Sequence, residues 1–516
     1  MYSTDLDEDT NKLRLELLSS FFLFNKVIYE ARTNRPFLIS NPISNESHFV
    51  TICRELVDVF LLKTPRLMIN VPPGWGKSTL CQNFIAYCLA WYADCRFLYL
   101  STSYELAASH THTIKKIIQL PIYRELFDVR VRSDQSAKDF FETSAGGAVA
   151  AFGAKGAVVG RDAGLPGQDR FSGCLLLDDM HKPDEVHSDT IREGVHKNYF
   201  ETIEPRLRGI NVPVIFIGQR LHEDDLPAHL LAGADGQKWK HITIKALDEN
   251  KNSRYPEVMT REKLIAMEKL QPYVFSSQYQ QEPIPSGGAL FKEEWFTICE
   301  KEPPIFATFL TVDGAETEDT MNDPTAMSFW GIYSLGYQEN GKDVCALHWL
   351  DCIEEWVEPK DLEELFLDFH SSCSRHDIKP MTSAIEKKSS GTTLLSLLKK
   401  RQGMSVIDIE RTGASGSKAD RFIKMQPYVA SLRVTLPMYG KHNHKVVKHM
   451  TKITANNTHK HDDICDTAHD AIDVALIRRM IIGQSSTVKD KQVARAIMGN
   501  FQALNKIRDR NNYGIR

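Results

Sequence analysis

The feature that most limits what this chain can fold into is the run Leu67-Met-Ile-Asn-Val71 followed by Pro72-Pro-Gly-Trp-Gly-Lys-Ser-Thr79. A short β-type run ends in prolines and two close glycines, and an apolar segment through Ala90 then reads as a helix. Strand, glycine turn and helix together form a cradle for phosphate. The glycines let backbone N–H groups face the oxygens, and the helix N-terminus adds its positive end. Lys77 is expected to reach the β- and γ-phosphates of ATP, and Ser78 to ligate Mg2+. Gly74, Trp75, Gly76, Lys77, Ser78 and Thr79 are therefore the candidate nucleotide contacts. Val71 stands where the full pattern has its first glycine.

Strand and helix patterns alternate beyond the loop, through RFLYLST, LAASHTHTIKKIIQL, GCLLLDD and VPVIFIGQR. That alternation implies a mostly parallel sheet with covering helices. The buried run GCLLLDD ends in Asp178 and Asp179. Asp178 is placed to hold Mg2+, and Asp179 to orient and activate the attacking water. A plain strand followed by a capping Asp would look the same. Gln219, at the tip of the next strand, is a candidate sensor of the γ-phosphate, with Arg220 coupling it to movement. Arg161, in the Gly-rich stretch AVVGRDAGLPG, is a candidate transition-state arginine acting in a neighbouring subunit. Arg170 and Arg206 compete for that role.

A second set of carboxylates follows. Asp313 ends the run FLTVD, Glu386 ends MTSAIE, and HDDICDTAHDAI carries Asp462, Asp463, Asp466 and Asp470. Positions three and four apart share one helical face, and like charges that close are costly unless a cation sits among them. Carboxylates are hard ligands suited to Mg2+ or Mn2+. Asp313 and Glu386, with Asp463 or Asp466 and with Asp462 as alternate, could hold two ions about 4 Å apart for cleavage of a phosphodiester. Capping of a turn by Asp313, and of the last helix by Asp462 and Asp463, is the plainer alternative. The histidines of this region lack the Cys pair or HExxH of a zinc site. KHNHKVVKH reads instead as a basic strand or loop facing nucleic acid, with Lys441, Lys445 and Lys448 on phosphates.

The bulk numbers fit a large globular chain. Its 516 residues are 42% hydrophobic and 25% charged, which suits two large domains and a tail. The net charge of -4 gives no global attraction to nucleic acid, so DNA contact would need a local positive groove. The ten cysteines include no CxxC pair, the acidic start MYSTDLDEDTNK is no signal peptide, and no run of 18 apolar residues occurs. A reducing, cytoplasmic setting without membrane contact is expected. The expected organisation is a helical arm over 1–45, a phosphate-loop domain over 46–250, and a linker over 251–300. A carboxylate domain over 301–485 and a basic tail over 486–516 complete it.

Taken in order, MINVPPGWGKST, LYLSTSYELAASHT, CLLLDDMHKPDE, IGQRLHEDDLPAHL, QYQQEPIPSGGALFKEEWF and HDDICDTAHDAI resemble the large terminase subunit of tailed bacteriophages. The resemblance covers nearly the whole chain. It implies an α/β protein with an additional-strand, RecA-like ATPase domain and an RNase H-like nuclease domain. Such proteins cut concatemeric viral DNA and pump double-stranded DNA into a procapsid. They act as a homo-oligomeric ring, usually of five subunits, on the portal protein, with a small subunit that selects the DNA. By resemblance, Lys77 and Ser78 match the phosphate-loop pair, Asp178 the magnesium carboxylate and Asp179 the catalytic acid. Gln219 falls in the coupling motif, and Arg161 matches the trans-acting arginine. Asp313, Glu386 and an Asp of 462–466 match the nuclease ligands. The implied location is the host cytoplasm and, transiently, the procapsid, not the mature virion. A cellular helicase–nuclease and a non-enzymatic virion protein with degenerate motifs are the alternatives.

Overall fold

The computed structural model describes residues 7–156, 158, 160–209, 211–284, 288–314, 324–358, 360–411, 417–454 and 463–484. They form two compact units, Met1–Pro285 and Ser286–Arg516.

The first unit is built on eight strands: β1 (Arg66–Asn70), β2 (Arg96–Ser101), β3 (Val131–Ser136), β4 (Phe140–Thr143), β5 (Ala148–Gly153), β6 (Leu175–Asp178), β7 (Val214–Gly218) and β8 (Lys240–Thr243). They lie in the order β3-β4-β5-β2-β6-β7-β1-β8. All pairs from β5 to β8 are parallel, and β3 and β4 add an antiparallel edge. Strands β6 and β7 are buried along their whole length and β1 along all but its first residue, as expected where helices cover both faces. The carboxylate strand β6 and the phosphate-loop strand β1 are separated by one strand, β7. That spacing is the additional-strand arrangement expected from the sequence.

The amphipathic stretch before residue 31 is two helices, Glu8–Ser19 and Phe21–Thr33, parted at Ser20. The Ser20 hydroxyl accepts from the Leu23 amide at 3.2 Å and so caps the second helix. These helices are no free arm. Phe21 and Phe24 are 2% and 0% exposed, and they pack on Phe84 and Tyr87 of the phosphate-loop helix. The boundary between units falls inside the stretch read as a linker. Its first part forms the helix Arg261–Leu270 within the first unit. Its last part supplies β9 (Thr297–Cys299) to the second unit.

The second unit adds β10 (Ile305–Asp313), β11 (Thr325–Glu339), β12 (Lys342–Glu355), β13 (Pro380–Glu386), β14 (Val406–Ile409) and β15 (Val434–Pro437). The order is β14-β13-β10-β11-β12-β15-β9. Strands β10, β11 and β12 form an antiparallel meander, and β13 and β14 join parallel beside β10. This is the RNase H-like topology that the resemblance implies. Trp330 and Trp349 stack with ring centroids 4.4 Å apart inside the sheet's core, and the Trp330 indole donates to Thr311 Oγ1 at 2.9 Å. The basic run near 445 is a helix, Asn443–Met450, and not the expected strand or loop. Val446 and Met450, four apart, bury one face while Lys445 and Lys448 stay outside. The basic tail over 486–516 lies outside the described residues. Among the described residues no helix is long and apolar enough to cross a membrane.

Candidate active sites

In the first unit, the loop between β1 and the helix Lys77–Trp91 turns on Gly74 (φ +77) and Gly76 (φ +82). Both occupy the left-handed region, where a side chain is strained. A Cβ on Gly76 would also stand 2.8 Å from the Phe49 ring. Trp75 does not face a ligand with its side chain. It is 0% exposed, packed against His48 and Tyr255, so only its backbone is available to a nucleotide. Val71, at the missing glycine position, is buried, and its amide donates to Gly218 O on β7.

Lys77 opens the helix, with Ser78 and Thr79 next. Its Nζ lies 2.8 Å from Asp179 Oδ2. Burial alone would lower the Lys77 ammonium's pKa, but Asp179 and then Asp178 more than offset that and raise it. Asp178, at the end of β6, is 1% exposed. Burial first, and the neighbouring Asp179 second, push its carboxyl up to about 6, against the pull of Lys77, the Tyr99 hydroxyl and Ser78. Tyr99 donates to Asp178 Oδ2 at 2.6 Å, while Asp178 Oδ1 is buried without a hydrogen-bond partner. A buried oxygen in that condition is costly unless a ligand completes it.

Asp179 adopts φ +49, a conformation rare outside glycine and frequent at functional sites. Its Oδ1 accepts from the Gln219 amide at 3.1 Å, an approach that Gly218 permits, since a Cβ there would sit 2.8 Å from that oxygen. Gln219 Oε1 is buried without a hydrogen-bond partner. Arg220 is pinned by Asp225 at 3.0 Å. Lys77, Ser78, Asp178, Asp179 and Gln219 are thus assembled at the ends of neighbouring strands. Arg161 is not among them. It is exposed and lies over the Phe140 ring, 3.6 Å from its centroid. Arg170 is bound to Asp94 at 2.6 Å. Sequence reasoning missed Tyr99 and His110. His110 Nε2 lies 3.8 Å from Asp178 Oδ2, its other ring nitrogen meets Gln82 at 2.7 Å, and burial lowers its pKa to about 4.

In the second unit, Asp313 ends β10 and Glu386 ends β13. The parallel register pairs Val312 with Ile385, so the two carboxylates finish side by side. The helix Asp463–Ile472 packs across this end of the sheet with Asp463, Asp466 and Asp470. Asp462, His459 and His461 lie outside the described residues. Loss of water, then Asp466, Glu386, Asp463 and Asp470 in turn, raise the Asp313 carboxyl well above its ordinary value. Three of the other acids, Glu386, Asp466 and Asp470, carry cations that no local spacing announces. Arg411 Nη2 reaches Asp470 Oδ1 at 2.6 Å and Glu386 Oε2 at 3.2 Å. Lys418 Nζ lies 2.6 Å from Asp466 Oδ2, and Arg421 Nη1 3.2 Å from Asp466 Oδ1. Burial would raise the Asp470 carboxyl, but His469 and Arg411 more than offset it and hold it below its usual range. Asp470 is therefore a counter-ion for Arg411. Among the described residues no three His, Cys, Asp or Glu side chains converge, as they stand, to enclose a metal ion. Glu386 and Asp466 are turned onto basic groups instead. On the basic helix, Lys445 pairs with Glu354 at 2.8 Å.

No family model matches this chain, and no curated protein does. Among solved structures it is similar to the large terminase of a thermophilic bacteriophage. The identity is 10%, 82% of this chain and 98% of that chain are covered, and the TM-score is 0.45. The HK97 bacteriophage large terminase is similar at 11% identity, with 86% and 98% covered and a TM-score of 0.33. The ATPase domain of a Thermus phage large terminase is similar at 13% identity, with 46% and 92% covered and a TM-score of 0.31. These superpositions are loose, and the functional reading rests on the residues of the two sites.

Proposed function

We propose that this chain is the large subunit of a viral terminase: an ATPase that drives double-stranded DNA into a procapsid and a metal-dependent endonuclease that cuts it. The observation that carries the reading is the pairing, on one chain, of two strand-end sites. One gathers Lys77, Ser78, Asp178, Asp179 and Gln219 on an additional-strand sheet. The other gathers Asp313, Glu386 and the acids of the helix Asp463–Ile472 on an RNase H-like sheet.

In the ATPase, Lys77 and the loop amides bind the β- and γ-phosphates of ATP. Mg2+ fits beside them, because Ser78 offers a hydroxyl and Asp178 Oδ1 is a buried acceptor without a partner. Tyr99 holds the other oxygen of Asp178, with His110 beside it. Asp179 takes the proton of the attacking water, and Gln219 positions that water or the γ-phosphate through its own unpartnered oxygen. Arg161 reaches a neighbouring subunit's site.

In the nuclease, Asp313, Glu386, Asp463 and Asp466 offer only carboxylate oxygen, the chemistry of a hard divalent cation, and Asp466 Oδ1 is buried without a hydrogen-bond partner. Mg2+ or Mn2+ bound there supplies an activated water and a stabilised leaving oxygen. Asp470 keeps Arg411 in place against Glu386. Lys441, ahead of the basic helix, and Lys448 on it hold backbone phosphates without reading bases.

The partners on this reading are a portal protein, a terminase small subunit and further copies of the chain in a pentameric ring. The protein works in the host cytoplasm and on the procapsid, and leaves before the virion matures. The test is packaging. The chain is mixed with portal-bearing procapsids, duplex DNA and ATP, and nuclease-protected DNA is measured. ATP-dependent protection supports the reading. ATP turnover accompanied by unwinding of a forked duplex, without protection, overturns it in favour of a helicase.

A further inference from the structure

The acids of the second unit are matched by cations that the hydrolytic reading does not use. Arg411 follows β14, while Lys418 and Arg421 stand in the first turn of the helix Lys418–Ala430. That turn is fixed by Ser417 and Asp420, which cap each other reciprocally.

The three cations are not held alike. Arg411 donates to both Glu386 and Asp470, and Asp470 is 0% exposed. Its place is set by a buried counter-ion with nowhere else to turn. Lys418 and Arg421 share one acid, Asp466, which is 4% exposed. Arg421 Nη1 and Asp466 Oδ1 are within ion-pair reach at 3.2 Å. Yet both atoms are buried without a hydrogen-bond partner. The charges meet, but the bond is not aligned. The acid oxygen still wants a cation and the guanidinium still wants an oxyanion.

We infer that Lys418 and Arg421 form a phosphodiester-binding site on the rim of the carboxylate cluster. Asp466 exchanges these two side chains for a divalent cation, and they turn to the non-bridging oxygens of the DNA strand being cut. This rests on the nuclease reading and adds a substrate-binding role to it. The side chains are 25% and 14% exposed, so each has access to solvent from its present position. Arg421 brings a planar fork that matches phosphate, and Lys418 a compact point charge.

The exchange has a signature that a structural ion pair lacks. A structural pair, once removed, leaves Asp466 misplaced and weakens metal binding. A competing pair, once removed, leaves metal binding as tight or tighter and weakens DNA binding.

The test uses the full chain with K418A/R421A. Mn2+ binding is followed by electron paramagnetic resonance without DNA, counting the signal that D313N removes. Binding of a labelled duplex in Ca2+ is followed by fluorescence anisotropy across a salt series. The expected result is Mn2+ affinity equal to or above wild type, with duplex affinity lowered at least about tenfold near 0.1 M salt. The slope of log affinity against log salt should fall by about two, one per lost phosphate contact. A wild-type slope, or weaker Mn2+ binding in the folded variant, overturns the inference. Should the double variant not fold, K418Q replaces a partly exposed side chain alone and should lower the slope by about one. A wild-type slope there overturns the inference as well. If the wild-type chain has no Mn2+ signal sensitive to D313N and cuts no plasmid, the nuclease reading fails first, whatever the variants do.

Discussion

Lys77 Nζ rests 2.8 Å from Asp179 Oδ2, so the ammonium expected to bind phosphate sits on the carboxylate expected to activate water. The two roles exclude each other. A Lys77 that moves to the γ-phosphate frees Asp179, and ATP must break this pair on entering. D179N removes that competitor, so ATP should bind at least as tightly as in wild type while single-turnover hydrolysis slows by about a hundredfold or more. D178N should instead weaken binding of Mg2+–ATP. Nucleotide titration beside single-turnover kinetics separates the two, and wild-type hydrolysis in D179N would move the water-activating role elsewhere.

Two acids of the second unit, Asp313 and Asp470, should respond in opposite directions. Burial and then the surrounding acids raise the Asp313 carboxyl, whereas His469 and Arg411, outweighing burial, keep that of Asp470 below its usual range. D313N relieves repulsion, so the chain should melt at the same or a higher temperature in EDTA while cutting is lost. D470N takes the nearer of two counter-ions from Arg411 and leaves it with Glu386 alone, so it should lower the melting temperature in EDTA. Thermal melts in EDTA beside plasmid cleavage check both, and a D470N variant as stable as D313N would contradict the division of roles.

What could be read in advance was what ends a strand. Asp178, Asp313 and Glu386 each close an apolar run, so their position at the strand ends was legible, and the glycines around Trp75 marked the loop. What could not be read was whatever crosses between elements. Tyr99 and His110 meet Asp178 only because β2 pairs with β6 and the helix Tyr104–Ile118 packs over it. Arg411, Lys418 and Arg421 find their acids across roughly fifty residues of chain, with no local spacing to signal it. The run HNHKVVKHM has too few apolar positions to declare its period, and Val446 with Met450 decides it only once there is a core to face.

Acid should loosen the first unit through its histidines. Burial, before any charge effect, lowers His48 and His181 from 6.5 to about 4. Direct neighbours such as Trp75 O and Asp225 offset only part of this. A folded-state pKa below the unfolded one means stability that is complete above pH 6.5 and is lost as pH falls towards 4. Each such group contributes up to about 1.4 kcal/mol per pH unit across that window. Urea unfolding at about pH 7.5 and pH 5 should show a clearly lower first midpoint at the acid end. Equal midpoints would contradict the burial of neutral histidines.

Arg161 lies over Phe140 and not at its own chain's phosphate loop, so on the ring reading it serves a neighbour. R161A and K77A chains should each be inactive alone and regain ATP turnover when mixed. Wild-type turnover by R161A alone would remove Arg161 from the reaction.

Two separate chemistries on one chain are tested by a crossed assay on the full-length protein. ATP turnover and Mn2+-dependent plasmid cutting are measured in parallel for wild type, K77A and D313N, with an EDTA control. K77A should lose ATP turnover and keep cutting, D313N should lose cutting and keep ATP turnover, and EDTA should abolish both. Cutting that survives D313N and EDTA, or near-normal ATP turnover in folded K77A, would contradict that separation.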